Sequence, residues 1–115
     1  MFFGKEIRIL LKDKAKDAFL ELKRRNDKEA LSILNSFNRI CDILRQNPQY
    51  GDPLAKDLIP EEFKKQGIHN LYRVELSNFW RMLYTLEGNK LEIFIFILSI
   101  SDHPTYDKLL GYRKR

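Results

Sequence analysis

Residues 71–112 read LYRVELSNFWRMLYTLEGNKLEIFIFILSISDHPTYDKLLGY, and their pattern decides the fold. Tyr72, Val74 and Leu76 alternate with Arg73 and Glu75, the period-two spacing of a half-buried strand. Trp80, Met82, Tyr84 and Leu86 alternate with Arg81, Leu83 and Thr85 in the same way. Leu91 to Ile100 is apolar on both sides, which predicts a central strand. Gly88–Asn89, between Glu87 and Lys90, is a two-residue hairpin signal. It sets Leu86 opposite Leu91 and Tyr84 opposite Ile93. Across the turn at Ser77–Asn78–Phe79, Leu76 facing Trp80 puts Val74 opposite Met82 and Glu75 opposite Arg81. The expected strands are 71–76, 80–86 and 91–99, consecutive and antiparallel.

That register separates two faces. One carries Tyr72, Val74, Leu76, Trp80, Met82, Tyr84, Leu86, Ile93, Ile95 and Ile97, apolar surface enough to receive a layer of helices. Its members Tyr72, Trp80, Met82 and Tyr84 should lie deeper than Arg73 and Arg81. The other face carries Arg73, Glu75, Arg81, Thr85, Glu92, Phe94 and Phe96. It reads as an open sheet face with cations among aromatics, a surface that suits phosphates through arginine and bases through stacking. A plain cross-strand ion pair between Glu75 and Arg81 on a solvated face is the competing reading.

Upstream, Glu6 to Leu11 is a short strand pattern. Ala15, Ala18, Phe19 and Leu22 then fall on one helical face. A polar turn at residues 23–27 follows, and Asn26 three residues before Glu29 resembles a capping box. The next stripe is Ala30, Leu34, Phe37, Cys41 and Leu44, flanked by Leu31, Ile33 and Ile40, and Pro48 ends it. Residues 13–46 are thus a helical hairpin with one apolar face. Residues 47–70 form a connector with turn signals at Asn47–Pro48, Gly51–Asp52–Pro53 and Ile59–Pro60, and one helical turn over residues 60–66.

At 115 residues the chain has room for one core, so a single domain over 1–115 is expected. The predicted class is α+β: an N-terminal strand and a helical hairpin packed on a small antiparallel sheet. Cys41 is the one cysteine and sits in the apolar stripe, which makes it a core residue and suggests a reducing compartment. MFFGKEIRIL is too short and too quickly charged for a signal peptide, and Ile93 to Leu98 is far too short to span a bilayer. A cytoplasmic location and no membrane partner are the expectation. His69 and His103 lack companion ligands, and no phosphate-loop or zinc spacing occurs, so no metal or other cofactor is expected. The net charge of +5 favours an anionic partner.

Ser99 to Tyr106 leaves the central strand with small and polar residues, setting His103 and Tyr106 at the sheet's rim. Histidine exchanges protons near neutral pH, and a tyrosine beside cations can orient or accept one. The alternative is that Asp102 caps a terminal helical turn while Tyr106 packs under Leu109 and Leu110. Lys108, Arg113, Lys114 and Arg115 put four cations and no carboxylate in the last eight residues, an electrostatic arm or a solubilising tail.

The segments LYRVELSNFWRMLYTLEGNKLEIFIFILSISDH and YDKLLGY, in the order strand, helical hairpin, connector and three strands, resemble RelE-type members of the RelE/ParE toxin superfamily. The resemblance covers most of the chain from residue 5 and is strongest at 71–112. It implies a RelE-like fold and the toxin of a type II toxin–antitoxin pair. Such a toxin enters the ribosomal A site, cuts mRNA and is silenced by a cognate acidic antitoxin. Arg73 and Arg81 then correspond to phosphate-contacting strand positions, and His103 or Tyr106 to the proton-transfer position. Lys64, Lys65, Arg113, Lys114 and Arg115 are the expected RNA-binding cations. Glu75 departs from the pattern, because a carboxylate there can neutralise Arg81. Two other readings share the fold: a non-catalytic ribosome- or protein-binding protein, and a ParE-type gyrase inhibitor. The sequence leaves oligomeric state open.

Overall fold

The computed structural model describes residues 5–111. Strand β1 (Glu6–Leu11) leads into helices α1 (Asp13–Arg25) and α2 (Lys28–Gln46), then a two-residue strand β2 (Asp52–Pro53). A short helix α3 (Glu61–Lys64) follows within the connector. Strands β3 (Tyr72–Glu75), β4 (Arg81–Gly88) and β5 (Glu92–Ser101) and helix α4 (His103–Leu110) complete the fold. The architecture is α+β, as the patterning requires.

The sheet is larger than expected and mixed. Its order is β1-β5-β4-β3-β2, with β1 parallel to β5 and the other pairs antiparallel. A parallel edge strand arises because the α1–α2 hairpin returns the chain across the sheet before β3 begins. Arg8 reinforces it by bonding Glu92 on β5 at 2.7 Å.

The helix boundary uses a cap one residue beyond the expected one. Asn26 ends α1 in the left-handed region at φ 54°, and Asp27 starts α2 by accepting from the Ala30 amide at 2.8 Å. Asparagine tolerates that backbone, while the shorter carboxylate meets the orphan amide and is clamped by Arg25.

The β3–β4 register is the expected one: Val74 faces Met82 and Glu75 faces Arg81. The β4–β5 hairpin is not. Gly88 faces Ile93, Leu86 faces Ile95 and Tyr84 faces Ile97, so the pairing slides by four residues. Asn89 explains the slide. Its Oδ1 accepts from the Leu91 and Glu92 amides, closing a wider turn than Gly88–Asn89 alone would. Because the slide is even, the same side chains keep the same face.

On that face, Val74, Met82, Tyr84, Ile95, Ile97 and Ile100 pack against Ala15, Leu22, Ile33, Phe37, Ile40 and Leu44. Cys41 is buried in this core, and burial pushes its thiol up to about 11. Met82 and Tyr84 are fully buried, but Tyr72 and Trp80 are only half-buried, no deeper by class than Arg73 and Arg81. Both lie on the flank of the helical layer. Tyr84 donates to the Pro48 carbonyl at 2.7 Å and accepts from the Gly51 amide, which ties the connector to the sheet.

The opposite face is not open. A second cluster of Ile59, Phe63, Ile68, Leu71, Leu83, Leu98 and Tyr106 covers it, drawn from the connector, β4, β5 and α4. A bulge at Leu98, between the pairs Leu83–Ser99 and Tyr84–Ile97, supplies an extra inward side chain. Phe94 and Phe96 stack on each other near the start of β5, where Lys12 lies over the Phe96 ring. Arg81 pairs with Ser101 at the strand's far end. Five residues of strand, about 17 Å, therefore part the phenylalanines from the arginine.

Candidate functional site

Arg81 is the hub of a polar cluster at the end of the sheet where β4 begins and β5 ends. Its Nη1 lies 2.8 Å from His103 Nδ1, its Nη2 donates to Glu75 Oε2 at 3.1 Å, and its Cζ sits 5.1 Å from the centre of the Tyr106 ring. A cross-strand pair, a helix N-terminus and an aromatic floor thus hold one guanidinium. Its side chain is only 14% exposed.

Helix α4 brings two of these groups. Asp102 caps it by accepting from the Thr105 amide at 3.0 Å, and Pro104 follows in the first turn. That start fixes His103 at the rim and turns Tyr106, one turn on, under Arg81. Tyr106 is 1% exposed and packs with Leu109 and Leu110. The capping alternative therefore holds for Asp102 and Tyr106, and of the two residues expected at the rim only His103 is there, because Tyr106 is buried.

An arginine can only donate, so His103 Nδ1 is the acceptor of its bond with Arg81. The ring proton then resides on Nε2, which lies 3.2 Å from Asp107 Oδ2. Asp107 is its i,i+4 neighbour on α4 and sets a negative charge beside that nitrogen. His103 itself is half exposed.

Arg73 stands on β3 beside this cluster. It donates to Asp52 Oδ2 at 3.1 Å, an approach set by the pairing of Asp52 with Arg73 across β2 and β3. Its pKa is raised, first by the hydrogen bond to Asp52 and further by one to Tyr106. Tyr106 therefore touches both arginines, its ring under one and its hydroxyl toward the other. Tyr50, Gly51, Asp52, Arg73, Val74 and Glu75 line an open cavity of about 500 Å³ next to the cluster.

The fold therefore assembles Arg73, Arg81, His103 and Tyr106 from positions spread over 34 residues of chain. It also adds two carboxylates that were not singled out from the sequence. Asp107 was findable, since it lies four residues after His103 in a helical pattern. Asp52 was not, because only the β2–β3 pairing brings it to Arg73. Lys64 and Lys65 stand exposed at the end of α3, and neither joins the Arg81 cluster. Arg113, Lys114 and Arg115 lie outside the described residues.

Leaving His103 aside, the cluster holds two guanidiniums against three carboxylates, Asp52, Glu75 and Asp107. Its cations are organised more than they are numerous. Both arginines also keep a buried Nε–H with no acceptor among the described residues. Among the described residues no group of three or more histidine, cysteine or acidic side chains could hold a metal ion, and no helix is long and apolar enough to cross a membrane.

No family model and no curated protein matches the chain. Among solved structures it is similar to a YoeB/ParE toxin from Agrobacterium tumefaciens, with a TM-score of 0.59 and 15% sequence identity over 84% of this chain and 98% of that one. The likeness is one of fold.

Proposed function

We propose that this protein is the toxin of a type II toxin–antitoxin pair and cuts mRNA on the ribosome. The observation that carries the reading is the Arg81 hub, bonded to His103 and seated on Tyr106, in a fold shared with a YoeB/ParE toxin. A cognate acidic antitoxin is the partner that silences it, and ribosome and mRNA are the target.

The chemistry is attack of a 2′-oxygen on the adjacent phosphorus. The P–O5′ bond breaks as the new P–O2′ bond forms, leaving a 2′,3′-cyclic phosphate and a free 5′-hydroxyl. Negative charge builds on the phosphorane oxygens. Arg81 meets it from β4 and Arg73 from β3, each worth about 3 kcal/mol if it acts as a typical oxyanion donor. We assign proton exchange to His103, which is half exposed and bonded to Arg81, because a histidine exchanges protons near neutral pH more readily than the carboxylate of Glu75, the other exposed partner of Arg81. When Arg81 turns to the phosphate, Nδ1 is released as the base that takes the 2′-hydroxyl proton, and the departing 5′-oxygen takes its proton from solvent water. Tyr106 is too deeply buried to reach a substrate oxygen, so it positions both guanidiniums. The ribosome supplies the in-line pose, an orientation effect that can reach several kcal/mol.

A second reading has its own support. Glu75 on Arg81 and three carboxylates in the cluster favour a protein that binds the ribosome without cutting. A translation reaction with primer extension along the mRNA separates the readings. Codon-spaced cuts support the nuclease, and arrest without cuts supports the binder. Intact translation accompanied by DNA breaks in cells supports a gyrase inhibitor.

A further inference from the structure

We propose that Phe79 is a stacking platform for a nucleobase next to the phosphate held at Arg81. The proposal rests on the RNA reading above and adds a contact that positions the substrate.

Folding does not account for this residue. The residue is 78% exposed, the highest of the exposed large hydrophobics among the described residues. Its backbone is in the left-handed region at φ 63°, directly after Asn78 at 59°. The other described residues with positive φ are Asn26, Gly67, Asn78 and Gly111, the types that tolerate it. A bulky aromatic there is a true outlier, and strain of this kind clusters at ligand-binding positions. Phenylalanine therefore adds strain at this position and buries little surface in return.

The turn that carries it is firmly held. The Ser77 amide donates to Ser36 Oγ at 3.1 Å, and Ser36 is buried in α2 with its hydroxyl on the Ile33 carbonyl. Ser32 and Ser77 hydroxyls meet at 2.9 Å. The Trp80 amide donates to the Ser77 carbonyl and the Leu76 amide to the Trp80 carbonyl, closing the turn. A ring presented on such a support loses little freedom when something stacks on it.

Its position selects the occupant. The turn joins β3 to β4 at the sheet end where Glu75, Arg81, Ser101 and His103 meet. Phe79 lies two residues before Arg81, so their backbones are at most about 7 Å apart and both belong to the same end of the sheet. Asn78 before it is exposed and polar, and Trp80 after it is half-buried, so the most exposed ring of the turn is that of Phe79. That combination fits single-stranded nucleic acid, which pairs a cation with an aromatic face.

The test uses the full chain and ribosomes programmed with an mRNA bearing 2′-O-methyl groups over the A-site codon, which block cutting. Phe79→Ala should weaken binding about 10-fold and Phe79→Trp should preserve it, since base stacking on an aromatic is sequence-tolerant and of that size. Removing one base of the codon should weaken the wild type and leave Phe79→Ala unchanged. Phe79→Asn should lose affinity yet melt at a higher temperature, because asparagine relieves the strain. Unchanged affinity of Phe79→Ala on these ribosomes overturns the platform. So does a variant that keeps RNA affinity but loses a protein partner. A wild type that does not distinguish programmed from empty ribosomes overturns the RNA reading itself, and the platform with it.

Discussion

Replacing Arg81 with alanine tests the site at its hub. The side chain makes three contacts: Glu75 at 3.1 Å, His103 at 2.8 Å and the Tyr106 ring at 5.1 Å. Glu75 is 66% exposed and water takes over its charge, so losing that pair costs about 0–1 kcal/mol. The contact with Tyr106 adds about 0.5–1 kcal/mol. The summed loss of about 0.5–2 kcal/mol lowers the melting temperature by several degrees and leaves the chain folded. Catalysis should suffer far more. Removing one donor to a phosphorane costs about 3 kcal/mol, or 10²-fold and more in cutting rate. Arg81→Lys keeps the charge but cannot reach Glu75 and His103 together with a two-pronged group, so it should recover little. The assay is single-turnover cleavage on programmed ribosomes, with circular dichroism to verify the fold. An Arg81→Ala protein that cuts like wild type would refute the assignment of the site.

Further outcomes are expected at the same site and in the core. His103→Ala should abolish most cutting while ribosome co-sedimentation stays near wild type, and Tyr106→Phe should lower cutting less, since its ring still supports Arg81; equal losses of binding and cutting would point to docking instead. Glu75→Gln should raise affinity for programmed ribosomes several-fold at low salt, with the gain shrinking as salt rises, and an unchanged salt profile would remove Glu75 as a mask on Arg81. The fold should weaken in alkali: burial raises Cys41 to about 11 and Tyr84 to about 12, so both favour the folded state while protonated, and urea midpoints should fall from about pH 9 through about pH 12. Tyr84→Phe should flatten that limb and cost about 1–3 kcal/mol at pH 7 by orphaning the Pro48 carbonyl and Gly51 amide; a neutral-pH stability equal to wild type would contradict that role.

The sequence reveals what local periodicity encodes. The helical hairpin, β1 and the β3–β4 register follow from residue spacing, and a single even slide in the β4–β5 hairpin left the faces intact. Contacts made between distant segments stayed hidden. Nothing in residues 54–71 announces that Ile59, Phe63, Ile68 and Leu71 fold over the arginine face, because a connector's apolar residues have no period. Asp52 likewise reaches Arg73 only through a two-residue strand. Arg73, Arg81, His103 and Tyr106 were legible as candidates because their strand positions and the break after Ser101 mark one end of the sheet. Their carboxylate partners, which change the electrostatics from a basic patch to a paired network, were legible only in part. The positive φ at Phe79 was not legible in the sequence, because the turn at Ser77–Asn78–Phe79 was read only for the strand register it sets.

The central claim is that the cluster directs a 2′-oxygen onto the neighbouring phosphorus. The direct measurement is cleavage of ribosome-bound mRNA carrying one 2′-deoxynucleotide on the 5′ side of the cut position, compared with the all-ribose message. The account predicts that the deoxy message is bound but not cut there, while the ribose message yields a 2′,3′-cyclic phosphate and a 5′-hydroxyl. Cutting of the deoxy message at the same position, or an all-ribose message that is bound and never cut, would contradict it.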